Sequence, residues 1–562
     1  MLDVISRSQR ARVCEYTRNE TKIVMPAMVG SDRDSGVWID SSGKDRVLHL
    51  MGTEVVMESG LRVTSNSGKA SGPEVKDGVA VVRLPLPEDL VFDDSVEFVV
   101  VPNGYELRKD PRRIVDNVIK LRRAAGFNRV LFISGLGEPS TVALLSYMGV
   151  DLFDDSLPRA AGVSGIRLIP EAEIVTGQDE SENNVRAMEE ELEKVRIFIG
   201  SDRLRELADQ RAPSTPTSVA LLRIYDDVGY EYAEETCSFV GCRFSCNTTQ
   251  ALRRPDIKSY KARMAEYRKP ENKRVLLLLP CSAKKPYHIS KTHKAFASAI
   301  HTAPHDTLVQ EVIVTSPLGA VPRELDAFYP ANAYDIPVTG EWKMEEKAMI
   351  RQMIGSIIDQ GWDRIVCHLG EDYELVEGLA EMECTVVGDS TSPASLQNLD
   401  KALREATKGM EPVDYLVDRN NQMRNMLRFQ FGSEAADVLM DSNTYAIGKF
   451  PYYKLFREDP ESHQKIQLGM FTPERGGISL TLDGAQILAD GGYPVIEVMD
   501  FEMKGNLFAV GVIKADPRIH VGDEAIAVCN GKVRAVGVAA MCGQEMTDMK
   551  RGIAVKVRHK TK

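Results

Sequence analysis

Residues 274–280 read RVLLLLP, an apolar run closed by a proline that cannot extend a hydrogen-bonded ladder. Such a run is predicted to be a buried strand, because only a strand covered on both faces stays apolar at every position. The next stretch is its opposite. PCSAKKPYHISKTH at 280–293 places one cysteine, three lysines, a tyrosine, two histidines and two serines within fourteen residues. Ligands of open α/β sheets gather beyond the carboxyl ends of the strands, so the run should deliver Cys281 to a reactive edge. Lys284, Lys285, His288 and the start of the following helix are expected to lower the Cys281 thiol pKa and enrich the thiolate. The bland alternative is a small buried cysteine.

Two series of alternating strands and helices surround this point. The opening strings RARVCEY, TKIVMPAMV, DSGVWID and RVLHLMG alternate as strands, PRRIVDNVIKLRRAAG has helical spacing, and RVLFISGL is a further strand. After the acidic loop EAEIVTGQDESENN comes the charged helix NVRAMEEELEKVRIFI. This first third fits an α/β layer or barrel. A second α/β series follows RVLLLLP: KTHKAFASAI (helix), VQEVIVTSP (strand), EEKAMIRQMIGSIIDQ (helix), DRIVCHL and ECTVVG (strands). DYLVDRNNQMRNMLRFQFG is a helix candidate, and the last seventy or so residues are short strands punctuated by Gly, Asp and Asn, as in a small β-barrel.

Composition narrows the class. A chain of 562 residues with 43% hydrophobic and 27% charged residues is predicted to be soluble, with about three or four domains. The net charge of −12 argues weakly against a nucleic-acid partner, yet from Ala251 to Lys294 thirteen Lys/Arg stand against three Asp/Glu. A focused basic segment can grip phosphates whatever the average charge. The nine cysteines are scattered, the first residues show no apolar segment with a cleavage site, and no apolar run approaches a membrane span. These features predict a cytoplasmic protein with reduced thiols and no membrane partner.

Three resemblances sharpen the reading. FAVGVIKADPRIHVGDEAIAV, VRAVGVAAM and GIAVKVRHK resemble the PUA domain, a small pseudo-barrel that grips RNA, with the glycine of HVGDE suited to a positive φ. Lys556, Arg558 and Lys560 alternate in the tail and are expected to share one face toward tRNA phosphates. LFISGLGEPSTVALLSYMGVDLFDDSLPRAAG resembles the tRNA-guanine transglycosylase barrel, and the opening hairpin resembles that family's as well. In Gly149-Val150-Asp151-Leu152-Phe153-Asp154, with Arg159 beyond, Asp154 takes the place of the family's nucleophile. The family's substrate motif is missing, DRDSGVWIDSSG being the nearest stretch, and Asp155 replaces a cysteine, so the resemblance implies a paralogue without base exchange. Cys237, Cys242 and Cys246 stand near the family's zinc position, but their spacings are wide and no histidine follows before His288. A structural zinc is therefore not favoured over buried cysteines, and no other cofactor or metal is expected.

The third resemblance is to archaeosine synthase, through Pro280-Cys281, Lys285-Pro286-Tyr287, Ser290 and His293 at fixed spacing, with TSPLGAVPREL and YDIPVTGEW downstream. It implies a substrate, 7-cyano-7-deazaguanine (preQ0) at position 15 in the tRNA D-loop, and lysine as amine donor, with glutamine or ammonia as alternatives. Cys281 would add to the nitrile, since a thiolate attacks electrophilic carbon. His293 would shuttle protons, and Lys285, Tyr287 and Ser290 would orient the substrate. Ser316, Arg323, Glu324 and Asp335 are candidate donor-pocket groups, an arginine pairing a carboxylate and an acid an ammonium. Asp154 is kept as a substrate-binding candidate.

The predicted fold class is a multidomain α/β protein. Residues 1–235 would form a degenerate TIM-barrel-like transglycosylase domain, and 236–270 a cysteine-containing basic connecting segment. Residues 271–412 would be the central catalytic α/β domain, 413–490 a small α+β connector, and 491–562 the PUA pseudo-barrel. Its partners would be tRNA, the amine donor, a second copy in a homodimer and a downstream radical SAM lyase that completes archaeosine. Two competing readings are a working tRNA-guanine transglycosylase, which would exchange guanine into unmodified tRNA, and a non-catalytic tRNA-binding protein.

Overall fold

A computed structural model describes residues 1–18, 20–33, 36–42, 45–57, 70–337 and 341–561. Parts of two motif strings, 34–35 and 43 in DRDSGVWIDSSG and 338–340 in YDIPVTGEW, lie outside the described residues. The chain forms two units. The first comprises 1–238, 506–521 and 540–554; the second comprises 239–505, 522–539 and 555–562.

In the first unit five short strands run parallel in the order β1-β5-β4-β3-β2: β1 (Ala27–Val29), β2 (Val79–Val81), β3 (Phe98–Val101), β4 (Val130–Ile133) and β5 (Leu152–Asp154). Strands β3 and β4 are buried at every position. Their alternate residues serve two cores. Val99, Val101, Leu131 and Ile133 pack with Ile114, Val118 and Leu121 of helix α1 (Pro111–Ala125). Phe98, Val100, Val130 and Phe132 pack with Val37, Ile39, Leu48 and Leu50 from an antiparallel three-stranded sheet. Helix α1 starts where the sequence asks, with Asp110 accepting from the Arg113 amide and Pro111 in the first turn.

The expected TIM-like barrel does not appear. Among the described residues the parallel array has two ends, at β1 and at the antiparallel strand Glu74–Lys76 beside β2. Closing a (β/α)8 barrel takes eight parallel strands, and the described residues supply five, with one antiparallel strand at one end.

The second unit is built on RVLLLLP. Strand β6 (Val275–Pro280) is the middle of a five-stranded sheet ordered β8-β7-β6-β9-β10, with β7 Val309–Thr315, β8 Gly319–Pro322, β9 Arg364–Cys367 and β10 Glu383–Cys384. It runs parallel to β7 and β9. Val275, Leu277 and Leu279 pack against Phe296 and Ile300 of α2 (Lys291–Thr302) and, with α3 taken as Met344–Ile358, against Leu399 and Leu403 of α4 (Pro393–Ala406). Leu276 and Leu278 face the other way, onto Ile350, Ile354 and Ile357 of α3. The uninterrupted apolar run is thus explained by helices on both faces.

Helix α5 (Tyr415–Phe431) and a four-stranded antiparallel sheet over 444–480 follow. At the C-terminal end, strands β11 (Glu524–Cys529), β12 (Lys532–Ala539) and β13 (Ile553–Lys560) pair antiparallel in sequence order. Gly522 of HVGDE has φ +86°, the left-handed conformation the turn was expected to need.

Candidate functional site

Strand β6 ends at Pro280, and the half-buried Cys281 follows at the carboxyl edge of the sheet. Pro280 pairs with Val314 of the neighbouring strand β7, so Cys281 stands beside Thr315, the last residue of β7, whose hydroxyl favours the thiolate form of the sulfur. Thr315 is buried, and its hydroxyl meets two buried phenols: Tyr287 donates to it at 3.1 Å, and Tyr334 lies 2.6 Å away. The two phenols also hydrogen-bond each other. The Lys285 ammonium sits 4.2 Å over the Tyr334 ring and interacts favourably with Cys281 and Asp335. Asp335, half-buried, also pairs with Arg243 at 2.9 Å.

The electrostatics correct one expectation. Burial pushes the Cys281 thiol above its ordinary value, and Lys285 and the Thr315 hydrogen bond only partly offset this. Burial likewise lowers the Lys285 ammonium, with Cys281 and Asp335 opposing. The resting sulfur is therefore mainly a thiol at neutral pH, contrary to the thiolate-rich cysteine expected from its basic neighbours. The lysine is near, but desolvation outweighs it.

The rest of the motif forms a second cluster. Ser290 caps α2, its side chain accepting from the His293 amide at 3.1 Å. His293 is buried in the first turn, and its Nδ1 lies 2.8 Å from an Arg323 amino group. Arginine only donates, so Nδ1 accepts and the ring carries its proton on Nε2, which faces the Pro280 carbonyl without a well-aligned hydrogen bond. Burial, with Arg323 adding to it, pushes the imidazole pKa down to about 2. Arg323 is itself held by Glu311 at 2.6 Å and Asp326 at 3.0 Å, and Asp326 also accepts from the His288 amide and faces its Nδ1. The neutral ring thus lies beneath the strand end, next to Pro280. That geometry does not suit the proton shuttle expected of His293.

Cys281, Lys285 and Asp335 thus come together, with Tyr287 acting through Thr315. Ser316, next to Thr315, is buried and donates to Glu346 at 2.6 Å. Glu324 lies in neither cluster; it is buried and accepts from Gln310, Asn425 and Tyr267, and burial raises its carboxyl. The sequence reading missed Thr315 and Tyr334. Each stands one residue before a chosen polar neighbour, Ser316 and Asp335, and side chains alternate along a strand. Both faces of β7 are buried, so alternation along it does not single out Thr315, and Tyr334, in a two-residue strand, carries no such signal either.

In the first unit Asp154 ends β5 with its carboxylate buried and fully engaged. Ser134 and the Gly135 amide donate to it, and Arg46 pairs with it at 3.1 Å. Asp151 of the same motif is salt-bridged to Arg12 and Arg122, which hold its carboxyl below the usual range although burial pushes it up. Both acids are wired as structural acceptors. Among the described residues no group of three or more His, Cys, Asp or Glu is arranged to hold a metal ion, and no helix is long and apolar enough to cross a membrane.

The C-terminal trio does not share a face. Lys556 pairs with Val538 and Lys560 with Ala535, and the bulge between these pairs inserts Arg558. Residues 535 and 538 lie on opposite faces of β12, so Lys556 and Lys560 do too. Arg558 bonds the buried Glu524 and the Leu480 carbonyl, and Lys560 donates to the Met503 carbonyl at 2.5 Å. Lys556 is exposed.

Comparison with known proteins agrees with this layout. A family model described as a domain of unknown function matches residues 257–403, which include the Cys281 edge, and the PUA domain model matches 496–561. The archaeosine synthase subunit alpha of Thermoplasma acidophilum is 30% identical, covering 87% of this chain and 95% of the relative. That of Methanosarcina acetivorans is 32% identical, covering 82% and 79%. The tRNA-guanine(15) transglycosylase of Methanothermobacter thermautotrophicus is 24% identical, covering 80% and 68%. The chain is a tRNA-modifying enzyme with a C-terminal PUA domain. It belongs to the archaeosine synthase family.

Proposed function

We propose that the chain converts the nitrile of preQ0, already in place at position 15 of tRNA, into an amidine-type adduct with an amine, lysine being the first candidate. Cys281 adds through sulfur to the nitrile carbon, and the thiol proton passes to the nitrile nitrogen, giving a thioimide. The amine then adds to the same carbon, the carbon–sulfur bond breaks, and the proton returns to the cysteine. No oxidant or reductant is consumed. The observation that carries this reading is a half-buried thiol at the carboxyl end of the central strand, beside a lysine ammonium and a threonine hydroxyl that both favour its thiolate. Lys285 is the group suited to donate to the developing imide nitrogen, and His293 and Arg323 hold the strand end in place.

Tyr287 and Ser290 serve the site indirectly, through Thr315 and through the helix cap. Two relatives are named as alpha subunits. In keeping with that, the chain is proposed to hand its product to a second protein, a radical SAM lyase, and to act as a homodimer.

The test is incubation of the protein with preQ0-bearing tRNA and each candidate amine, followed by mass analysis of the nucleosides. An adduct mass of preQ0 plus lysine supports the reading. Incorporation of labelled guanine into unmodified tRNA would instead mark a transglycosylase, and unchanged nucleosides a binding protein.

A further inference from the structure

We propose that Thr315, outside the cysteine-containing motif, is the positioning residue that donates a hydrogen bond to the Cys281 sulfur once its proton has left, its hydroxyl held in register by Tyr334 and Tyr287. The inference rests on the reading of Cys281 as the reacting group, but its geometry stands by itself. The Thr315 oxygen has one proton and two lone pairs, and four neighbours compete for them: the Cys281 sulfur, the Tyr287 and Tyr334 hydroxyls, and the Ser316 carbonyl at 3.1 Å.

With the thiol protonated, S–H and one phenol fill the two lone pairs, and the threonine proton goes to the Ser316 carbonyl. When sulfur gives up its proton, a lone pair on the threonine oxygen is vacated and the second phenol can fill it. The threonine O–H then rotates onto the sulfur. Two phenol O–H groups pointing into one oxygen make that hydroxyl a stronger donor to the thiolate. The switch needs no movement of the backbone, because all three hydroxyls are buried and fixed. Loss of the thiol proton to the nitrile nitrogen, and its later return to sulfur, are accompanied by rotation of the threonine O–H and of the second phenol O–H, which turns from its partner phenol onto Thr315. The charged and titratable groups around the sulfur are Lys285, with Asp335 behind it, and Asp372. Lys285 favours the thiolate, and Asp372 disfavours it.

The test reads the sulfur without tRNA. Full-length protein is alkylated with iodoacetamide across pH, and the Cys281 peptide is followed by mass spectrometry. Thr315→Val is expected to move the midpoint up by about one pH unit, the loss of one hydrogen bond to a charged group. Thr315→Ser, which keeps the hydroxyl, should restore it, and Tyr334→Phe should move it part of the way. A Thr315→Val midpoint equal to that of the unsubstituted protein overturns the proposal, as does a serine variant shifted as far as the valine one. Should Thr315→Val not fold, the Tyr334→Phe midpoint decides alone: a rise supports the hydrogen-bond switch and no rise overturns it. A shifted midpoint stands even if the nitrile reaction proves not to use Cys281, so the two readings fail separately.

Discussion

Arg323 donates to Nδ1 of His293 across 2.8 Å, and that one contact fixes which ring nitrogen carries the proton. The motif histidine therefore stays neutral over the whole working pH range. Its Nε2 faces the Pro280 carbonyl just ahead of Cys281.

A pH consequence follows. The folded pKa of His293, about 2, lies below the unfolded value of 6.5, so between these limits the unfolded chain binds a proton the native ring refuses. Its stability contribution is present above pH 6.5 and lost as pH falls. By pH 5 the native state should lose about 2 kcal/mol from this residue. Thermal unfolding of the protein and of His293→Gln at pH 8 and pH 5 should give a shallower acid loss for the variant. Equal losses would count against a neutral, locked ring.

Cys281→Ala should abolish adduct formation while leaving tRNA binding intact, measured by nucleoside mass analysis and by filter binding. Full product formation by this variant would mean that the amine attacks the nitrile directly. Lys285→Met should raise the alkylation midpoint of Cys281, because the neighbouring ammonium does most to hold the thiol pKa down against burial.

Asp154 in the first unit offers a contrast. Asp154→Asn should leave the nitrile reaction unchanged and destabilise the protein by about 1–3 kcal/mol, since the carboxylate serves Arg46, Ser134 and the Gly135 amide. Calorimetry and single-turnover assays would separate the two effects. A loss of adduct formation without a loss of stability would return Asp154 to the substrate site.

Arg558 and Lys556 should also part company. Glu524 is buried between Arg475 and Arg558, so Arg558→Ala should cost about 3 kcal/mol of stability. Lys556→Ala should leave the melting temperature unchanged, weaken tRNA binding and reduce the salt slope by about one. The opposite pattern would place the arginine on the RNA.

What the sequence determined by itself was local and periodic. RVLLLLP read as a buried strand, PRRIVDNVIKLRRAAG as a helix, and the glycine of HVGDE as suited to a positive φ. Motif spacing placed Cys281 and Lys285 together at a strand end. Tertiary structure decided everything that depends on distance through space or on desolvation. Burial outweighed Lys285 and left the sulfur a thiol, and Arg323, thirty residues from His293, set that ring's tautomer. One inserted residue turned an alternating basic tail onto two faces. A polar side chain one position from the true neighbour reads the same in sequence, whereas in a strand it points to the other side of the sheet.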